Sequence, residues 1–224
     1  WDPNGRLVLQ TSPYASDKKA NVYDPYSIFQ TGITYKNTLS LSGGNETTTY
    51  YASYSNITQE GVIPNNTYSK NSFKLSGSQK FSDKWSMSSD VNYLRTDANY
   101  IQQGSNISGL MLGLLRTPPT FDNSYGYQFE DGSQRTYRGG TGYDNPYWTI
   151  NNITFGEVVN RVIGNLNLAY KATEWLSFQY KFGNDYFNRT YKDFFEKGSN
   201  NFPNGLLRKY DFNNDEFSST LYAN

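Results

Sequence analysis

Hydrophobic and polar residues alternate along several stretches of the chain, and short turns join these stretches in pairs. Such alternation places apolar side chains on one face of a β-strand and polar side chains on the other. Three hairpins are predicted: Tyr35–Leu41 with Tyr50–Tyr54, Phe73–Phe81 with Trp85–Tyr93, and Val162–Tyr170 with Leu176–Phe182. The connections between hairpins are long, most of all from about Asp97 to Val158. Short turns at one rim and long loops at the other are typical of an antiparallel transmembrane β-barrel.

The turn residues predict a register for each hairpin. Gly44 and Asn45 suit a two-residue turn, and three or four polar residues separate the strands of the other two hairpins. In each register the apolar residues of both strands fall on the same face, as a one-sided sheet requires. The predicted cross-strand pairs are Leu39 with Tyr50, Phe81 with Trp85, Leu75 with Val91, Phe73 with Tyr93, and Tyr170 with Leu176.

The same pattern divides the chain into six segments with about seven strands. They are an entry loop (residues 1–33), strands one to four (34–97), a long extracellular loop (98–158), strands five and six (159–190), a second extracellular loop (191–214) and the start of strand seven (215–224). Seven strands are too few to close a large barrel. The chain begins at Trp1 in loop-like sequence and stops at Asn224 inside a predicted strand. We therefore expect it to be part of a longer polypeptide.

The two faces of the predicted sheet differ in chemistry. One face is rich in Leu, Tyr and Phe and is expected to meet lipid, whereas the other is rich in Ser, Thr, Asn and Lys and suits a hydrated interior. Trp85 and Trp175 each follow a short turn, where aromatic side chains gather at a membrane interface. A soluble sandwich would instead bury the apolar face against a second sheet.

The composition leaves the barrel interpretation unchanged, but it excludes several classes of function. The 224 residues include 20 basic and 20 acidic side chains, so no global charge attracts nucleic acid. The chain contains neither histidine nor cysteine, which removes the usual catalytic triads and the common transition-metal ligands. Carboxylates in the long loop could still act as acid and base, but no spacing isolates a pair. We predict no enzymatic activity, no metal site and no cofactor.

The long loop contains one predicted helix and many aromatic residues. Apolar residues recur at helical spacing over Ser105–Arg116; Ser105 or Asn106 could cap its start, and Pro118-Pro119 ends it. The loop aromatics either pack the loop on itself or contact a substrate or a partner protein. The candidate contact residues are Tyr125, Tyr127, Arg135, Tyr137, Arg138, Tyr143, Tyr147 and Trp148.

Seven short motifs resemble the SusC/RagA family of TonB-dependent outer-membrane transporters. They occur in the same order as in that family and cover nearly the whole chain. The resemblance is specific because all seven motifs occur together, whereas any one of them alone would be weak. In chain order they are Phe29–Gly32 (FQTG), Leu39–Asn45 (LSLSGGN), Tyr50–Tyr54 (YYASY), Gln59–Asn65 (QEGVIPN), Leu114–Pro119 (LLRTPP), Tyr143–Trp148 (YDNPYW) and Asn160–Asn165 (NRVIGN).

The resemblance implies a large plugged barrel in the outer membrane of a Gram-negative bacterium. It further implies uptake of oligosaccharides or peptides, a SusD-like surface lipoprotein as a lid, and a TonB complex that acts through parts outside this chain. A passive porin or a surface adhesin on the same architecture remains an alternative. A soluble carbohydrate-binding β-sandwich and an enzyme are weaker alternatives.

Overall fold

A computed structural model describes residues 8–13, 15, 21–103, 108–139 and 142–224. Its elements are a short 3-10 helix, two α-helices and seven β-strands. The strands are β1 (Ile33–Gly44), β2 (Thr48–Glu60), β3 (Thr67–Lys80), β4 (Trp85–Tyr100), β5 (Ile153–Lys171), β6 (Ser177–Phe195) and β7 (Leu206–Ala223). The helices are the 3-10 helix Pro25–Ile28, α1 (Leu110–Arg116) and α2 (Pro146–Asn152).

The seven strands form one sheet in sequence order, β1 to β7, and β1 to β5 are paired antiparallel. The predicted all-β antiparallel fold is confirmed. Two further predictions hold in detail, because Leu75 lies opposite Val91 and Phe73 lies opposite Tyr93 in the β3–β4 pair. The described strands make no second sheet, so the apolar face is not packed in a sandwich of these residues.

The predicted register of the first hairpin is wrong by four residues. Leu39 pairs with Tyr54, and Gly43 pairs with Tyr50. The cause is Asn45, whose side-chain oxygen accepts hydrogen bonds from the backbone N–H groups of Thr47 and Thr48 at 2.9 Å each. This local turn lengthens the connection beyond two residues. Because the error is an even number of residues, every side chain keeps its predicted face.

The third hairpin is also shifted, by two residues. The backbone N–H groups of Ala172 and Thr173 both donate to the carbonyl oxygen of Leu176, at 3.0 and 3.1 Å. This places Ala172 opposite Leu176, where Tyr170 was predicted. The shift is again even, so the faces are unchanged.

The strands are longer than predicted and the connections are shorter. The long loop spans residues 101–152 instead of 98–158, and the second loop spans 196–205 instead of 191–214. Only residues 61–66 separate β2 from β3, so the prediction of a long connection there is wrong. The polar residues Asp193 and Asp211 lie within β6 and β7, which explains why these strand ends resembled loops.

Two adjacent rows of cross-strand partners mark a sharp chemical boundary on the apolar face. The first row is apolar and aromatic, and the second row, two residues along each strand towards the long loops, is polar. The apolar row is Leu39, Tyr54, Phe73, Tyr93 and Val162, and the polar row is Asn37, Asn56, Asn71, Arg95 and Asn160. The phenol O–H groups of Tyr54 and Tyr93 donate across this boundary to Asn71 and Asn160, at 2.7 and 3.0 Å.

The long connections form a compact unit of their own, separate from the sheet. It comprises the described residues within Trp1–Phe29, Gln102–Ile153 and Phe195–Leu206. Helix α1 confirms part of the helix predicted over residues 105–116, of which residues 105–107 lie outside the described chain. Its N-cap is Gly109, so the prediction that Ser105 or Asn106 caps it is wrong. Helix α2 was not predicted, although Asn145 caps it and Pro146 occupies its first turn, which is a recognisable start signal. None of the described helices is long and apolar enough to cross a membrane.

Candidate functional site

The candidate site lies in the loop unit, and Asp144 and Asn145 hold that unit together. The Asp144 carboxylate is buried and accepts hydrogen bonds from the Gln134 side-chain amide (2.8 Å), the Ser199 hydroxyl (2.7 Å) and the Asn200 backbone N–H (2.6 Å). These donors come from both long connections. A buried carboxylate needs such donors, since an unpaired charge away from water is very costly. Asp144 therefore ties the two connections into one folded unit.

Asn145, the next residue in sequence, makes a second set of hydrogen bonds within the loop unit. Its side-chain oxygen accepts from the Tyr147 backbone N–H at 2.8 Å and so caps helix α2. Its side-chain amide donates to the carbonyl oxygens of Arg135 (2.8 Å) and Asn123 (3.2 Å). Its backbone N–H donates to the Gln134 side chain at 2.8 Å. The segment from residue 123 to 135 is thereby fixed against the start of α2.

We expect Asp144→Asn to lower the free energy of unfolding of the loop unit by about 1–3 kcal/mol. The new amide nitrogen is a hydrogen-bond donor, and it would face groups that already donate to the Asp144 carboxylate. The backbone N–H of Asn200, which donates to Asp144, should then exchange with solvent faster. Hydrogen exchange of the full-length protein measures this directly. Exposed Asp131→Asn is the matched control and should leave Asn200 protected. Equal protection in both variants would contradict the anchoring role of Asp144.

Trp148 belongs to the buried apolar core of this unit. Its side chain is 0% exposed and lies in a core that also contains Leu110, Leu114 and Ile150. Trp148 was one of the predicted contact residues, and its burial contradicts a direct contact role. Its indole N–H has no hydrogen-bond partner among the described residues. The packing explanation for the loop aromatics therefore holds for Trp148.

Five of the other predicted contact residues come together in what we call the arginine–tyrosine cluster. The cluster consists of Tyr125, Arg135, Tyr137, Arg138 and Tyr143, together with Phe121 and Arg116, which the sequence did not single out. The Arg135 guanidinium lies 4.3 Å from the ring centre of Phe121 and 5.8 Å from that of Tyr125. The rings of Tyr137 and Tyr143 are stacked with centres 6.5 Å apart.

The basic side chains of the cluster lie on its aromatic rings. Arg138 lies 5.4 Å from the ring centre of Tyr137 and 5.0 Å from that of Tyr143. Arg116 lies 5.3 Å from the same Tyr143 ring and donates to its phenol oxygen. Contacts of this kind hold a guanidinium in place beside an aromatic ring. The cluster therefore brings cationic and aromatic side chains together in the loop unit.

The remaining predicted contact residues, Tyr127 and Tyr147, lie outside this cluster. Both are half-buried. Tyr147 lines a cavity of about 430 Å³ between the segment 22–27 and the end of α1. The Tyr127 carbonyl oxygen accepts from the Arg135 backbone N–H at 2.9 Å, which makes it part of the scaffold beneath Arg135.

Asp122 and Asp131 of the long loop do not show the raised pKa of a general acid. Hydrogen bonds from the hydroxyls of Ser124 and Ser133 lower the pKa values of Asp122 and Asp131, whereas a general acid needs a raised pKa. Because these pKa values are lowered in the fold, the two turns gain stability above the ordinary pKa of aspartate and lose it as pH falls through the folded pKa. Among the described residues, no three acidic side chains are grouped as metal ligands.

The polar face of the sheet carries ion pairs that the sequence did not predict. Arg161 lies opposite Leu94 on this face and makes a two-point ion pair with Asp185 in β6. Arg189 pairs with Glu157, and Arg208 pairs with the largely buried Asp193 at 2.7 Å. Beside them, Arg189, Tyr191, Tyr210 and Phe212 line a hollow of about 370 Å³. This face therefore offers charged and aromatic groups as well as small polar ones.

The two tryptophans predicted at the short-turn rim occupy that rim of the sheet. Trp85 begins β4 and stacks on Tyr170 with ring centres 4.3 Å apart. Trp175 lies in the β5–β6 turn and is 78% exposed. Their role at a membrane interface stays a prediction.

Comparison with solved structures gives strong matches, among them three structures of RagAB. The RagAB peptide importer in the "closed-closed" state matches with a TM-score of 0.72 and 18% sequence identity over 91% of this chain. The same importer in the "open-open" state matches with a TM-score of 0.72 and 17% identity over 90% of the chain. The RagAB peptide transporter matches with a TM-score of 0.73 and 17% identity over 91% of it.

This chain spans 23% of the length of each matched chain. No protein-family model matches the sequence, and no curated protein matches it either. The similarity therefore concerns the fold, which the motifs had already indicated. The chain has the fold of about a quarter of a RagAB transporter chain, and the comparison confirms at the level of the fold its resemblance to the SusC/RagA family.

Proposed function

We propose that the chain forms part of the wall and extracellular rim of a TonB-dependent nutrient importer in the outer membrane of a Gram-negative bacterium. The importer takes up oligosaccharides or peptides beneath a SusD-like lipoprotein lid, and TonB acts through parts outside this chain. The observation that carries the proposal is a single antiparallel sheet with an exposed apolar face. The fold of a peptide importer matches this structure over 91% of the chain.

The exposed apolar face supports a wall that faces lipid. Leu39, Phe73 and Leu75 are 76%, 46% and 47% exposed, although they form a continuous apolar surface. In water such a surface would favour aggregation, whereas hydrocarbon stabilises it. The hydrophobic effect therefore favours this face in a bilayer.

The height of the apolar band also supports a membrane position. On β4 it runs from Trp85 to Tyr93, about 27 Å along the strand at about 3.4 Å per residue. A strand tilt of about 40° reduces this to about 20 Å across the bilayer, close to the apolar band of about 25 Å in known barrels. Above Tyr93 the row of Asn71, Arg95 and Asn160 begins the water-exposed region.

The folded loop unit supports a gated rim more than an open pore. Its buried network around Asp144 and Trp148 makes a stable body out of two long connections. Long loops with their own core are usually functional. Its arginine–tyrosine cluster, in which Arg116, Tyr125 and Arg138 are exposed, combines aromatic and arginine side chains, which are enriched where proteins bind partners. We therefore assign contact with the lid or the substrate to this cluster.

Replacing residues 120–151 by a short Gly-Ser linker tests the role of the loop unit. We expect normal assembly of the sheet in the outer membrane, because β5 begins only at Ile153, and loss of lid binding and of nutrient uptake. Heat-modifiable migration measures assembly, and co-purification with a SusD-like lipoprotein measures lid binding. As a control, a linker inserted in the short turn Ser82-Asp83-Lys84 should leave lid binding and uptake intact.

Wild-type uptake in the loop replacement would contradict the proposed role of the rim. Uptake that continues after TonB is removed would instead favour a passive porin. A full-length protein that stays in solution without detergent would contradict the membrane wall itself.

A further inference from the structure

We propose that the cavity between residues 22–27 and the end of α1, called the amine site from here on, binds a primary ammonium group of a small ligand. Its biological use rests on the proposed import function, because an imported peptide or amino sugar would supply the amine. The site itself follows from the shape, charge and hydrogen bonding of its lining. The lining residues that carry the inference are Tyr23, Asp24, Phe121, Asp122, Asn123 and Tyr147.

The size and the walls of the amine site suit a small organic group. Its volume of about 430 Å³ falls within the range of about 300–1,000 Å³ that is usual for ligand pockets. Pro25, Pro118 and Pro119 belong to the lining, and their fixed backbone angles stiffen it. The backbone N–H of Tyr23 donates to the carbonyl oxygen of Pro119 at 2.8 Å and joins the two sides of the cavity. A stiff, preformed site lowers the entropic cost of binding.

The charge of the lining selects a cation. Among the described residues, the lining contains the carboxylates of Asp24 and Asp122 but no lysine or arginine. Neither carboxylate has a cationic partner at ion-pair distance within the described chain. A hydrogen bond from the Ser124 hydroxyl lowers the pKa of Asp122 and so keeps this carboxylate charged. Arg135 donates to the Asp122 backbone carbonyl at 2.6 Å, but it lies outside the lining.

Asn123 gives the site a buried hydrogen-bonding group that the chain does not use. The residue is 9% exposed, and its backbone carbonyl accepts from the Asn145 amide at 3.2 Å. Its side-chain amide makes no hydrogen bond with any residue that the structure describes. A buried amide without a partner is costly, so a ligand that pairs with it is favoured. Its oxygen can accept from an ammonium, and its nitrogen can donate to an oxygen beside that ammonium.

The aromatic rings of the lining add a second attraction for a cation. An aromatic face attracts an ammonium that lies within about 6 Å of the ring centre. Among the described residues, no lysine or arginine lies over the ring of Tyr23 or of Tyr147. A neutral sugar could also stack on these rings, but it would leave the carboxylates of Asp24 and Asp122 without a counter-charge. The lining therefore favours an amine over a neutral ligand.

Two kinds of molecule can supply this ammonium group, namely a peptide through its amino terminus and an amino sugar. Both carry an oxygen close to the amine, which the Asn123 amide nitrogen can bind. Each is a substrate of the kind proposed above for the importer. Two probe pairs, in which only the charge of the amine changes, separate the two sources.

The test measures binding to the purified full-length protein in detergent by isothermal titration at about pH 6, where a peptide amine is protonated. The first probe pair is tetra-alanine amide and its N-acetyl form, and the second is tetraglucosamine and its N-acetylated form. We expect the free amine of at least one pair to bind about tenfold more tightly than its acetylated partner. Asp24→Asn and Asp122→Asn should each weaken that preference, and the double variant should remove it.

Asparagine is chosen because it can keep the local turns. Asp24 caps the 3-10 helix through the Tyr26 backbone N–H, and Asp122 accepts from the Ser124 backbone N–H. An asparagine side-chain oxygen can accept both bonds. Limited proteolysis should therefore show an intact loop unit in every variant.

The matched control is Asp131→Asn, which removes the same charge from an exposed turn outside the lining. Asp131 accepts from the Ser133 backbone N–H at 2.9 Å, as Asp122 does from Ser124. The control should leave the amine preference unchanged, and equal loss there would mean general charge attraction and would overturn the site. So would the absence of a preference in both probe pairs, or a preference that survives the double variant. A preserved preference in a protein that imports nothing would refute the proposed function and leave the site standing.

Discussion

Replacing Leu75 by arginine should destabilise the folded full-length protein by about 2–4 kcal/mol, while Ser76→Arg should cost much less. The two residues are neighbours on β3 but face opposite sides of the sheet, since Leu75 pairs with Val91 and Ser76 with Asp90. An arginine at position 75 would enter hydrocarbon near the middle of the apolar band. At position 76 it would join the hydrated polar face. Denaturant titration of the protein refolded in lipid vesicles measures the difference.

A second pair of positions repeats the comparison on another strand. Leu168 lies opposite Met87 on the apolar face, and Asn167 lies opposite Ser88 on the polar face. Leu168→Arg should therefore be the damaging variant and Asn167→Arg the milder one. If both variants of a pair lowered the free energy of unfolding equally, the assignment of the faces would be wrong.

Replacing Trp148 by alanine should destabilise the loop unit by about 3–5 kcal/mol, because the side chain is completely buried. The loops form a separate compact unit, so we expect them to open while the sheet stays assembled. Limited proteolysis of the full-length protein should then cut within residues 102–153. Heat-modifiable migration should stay normal.

Trp148→Phe is the matched control for this experiment. It keeps an aromatic side chain in the core and removes an indole N–H that has no partner among the described residues. The phenylalanine variant should therefore resist the protease much better than the alanine variant. An alanine variant as resistant as the wild-type protein would contradict the core position of Trp148.

The faces of the sheet could be predicted from the sequence because they depend only on alternation. The β3–β4 register was also predictable, since Phe81 and Trp85 enclose a short polar turn. The registers of the other two hairpins were not predictable. Hydrogen bonds to the Asn45 side chain decide where the first turn begins. In the third hairpin, Ala172 and Thr173 share the carbonyl oxygen of Leu176, and this decides where that turn begins. These local bonds leave little trace in hydrophobic periodicity.

The candidate site was predictable in part. The density of Tyr and Arg residues indicated the surface, and five predicted residues do meet there. Burial separated Trp148 from them, and alternation or composition cannot reveal the burial of a single loop residue. Arg116 was missed because its neighbours in sequence belong to a helix, whereas its partner Tyr143 is distant along the chain. Only the tertiary structure brings these two together.

The central claim is that the apolar face of the sheet contacts lipid, and residue-by-residue accessibility tests it most directly. Single spin-labelled cysteines at positions 90 to 93 of β4, in a cysteine-free full-length protein in lipid bilayers, report contact with oxygen dissolved in hydrocarbon or with a water-soluble nickel reagent. We predict that labels at Val91 and Tyr93 are reached by oxygen, and that labels at Asp90 and Asn92 are reached by the nickel reagent or shielded by protein. Labels at Val91 and Tyr93 that oxygen in the bilayer cannot reach would contradict the account.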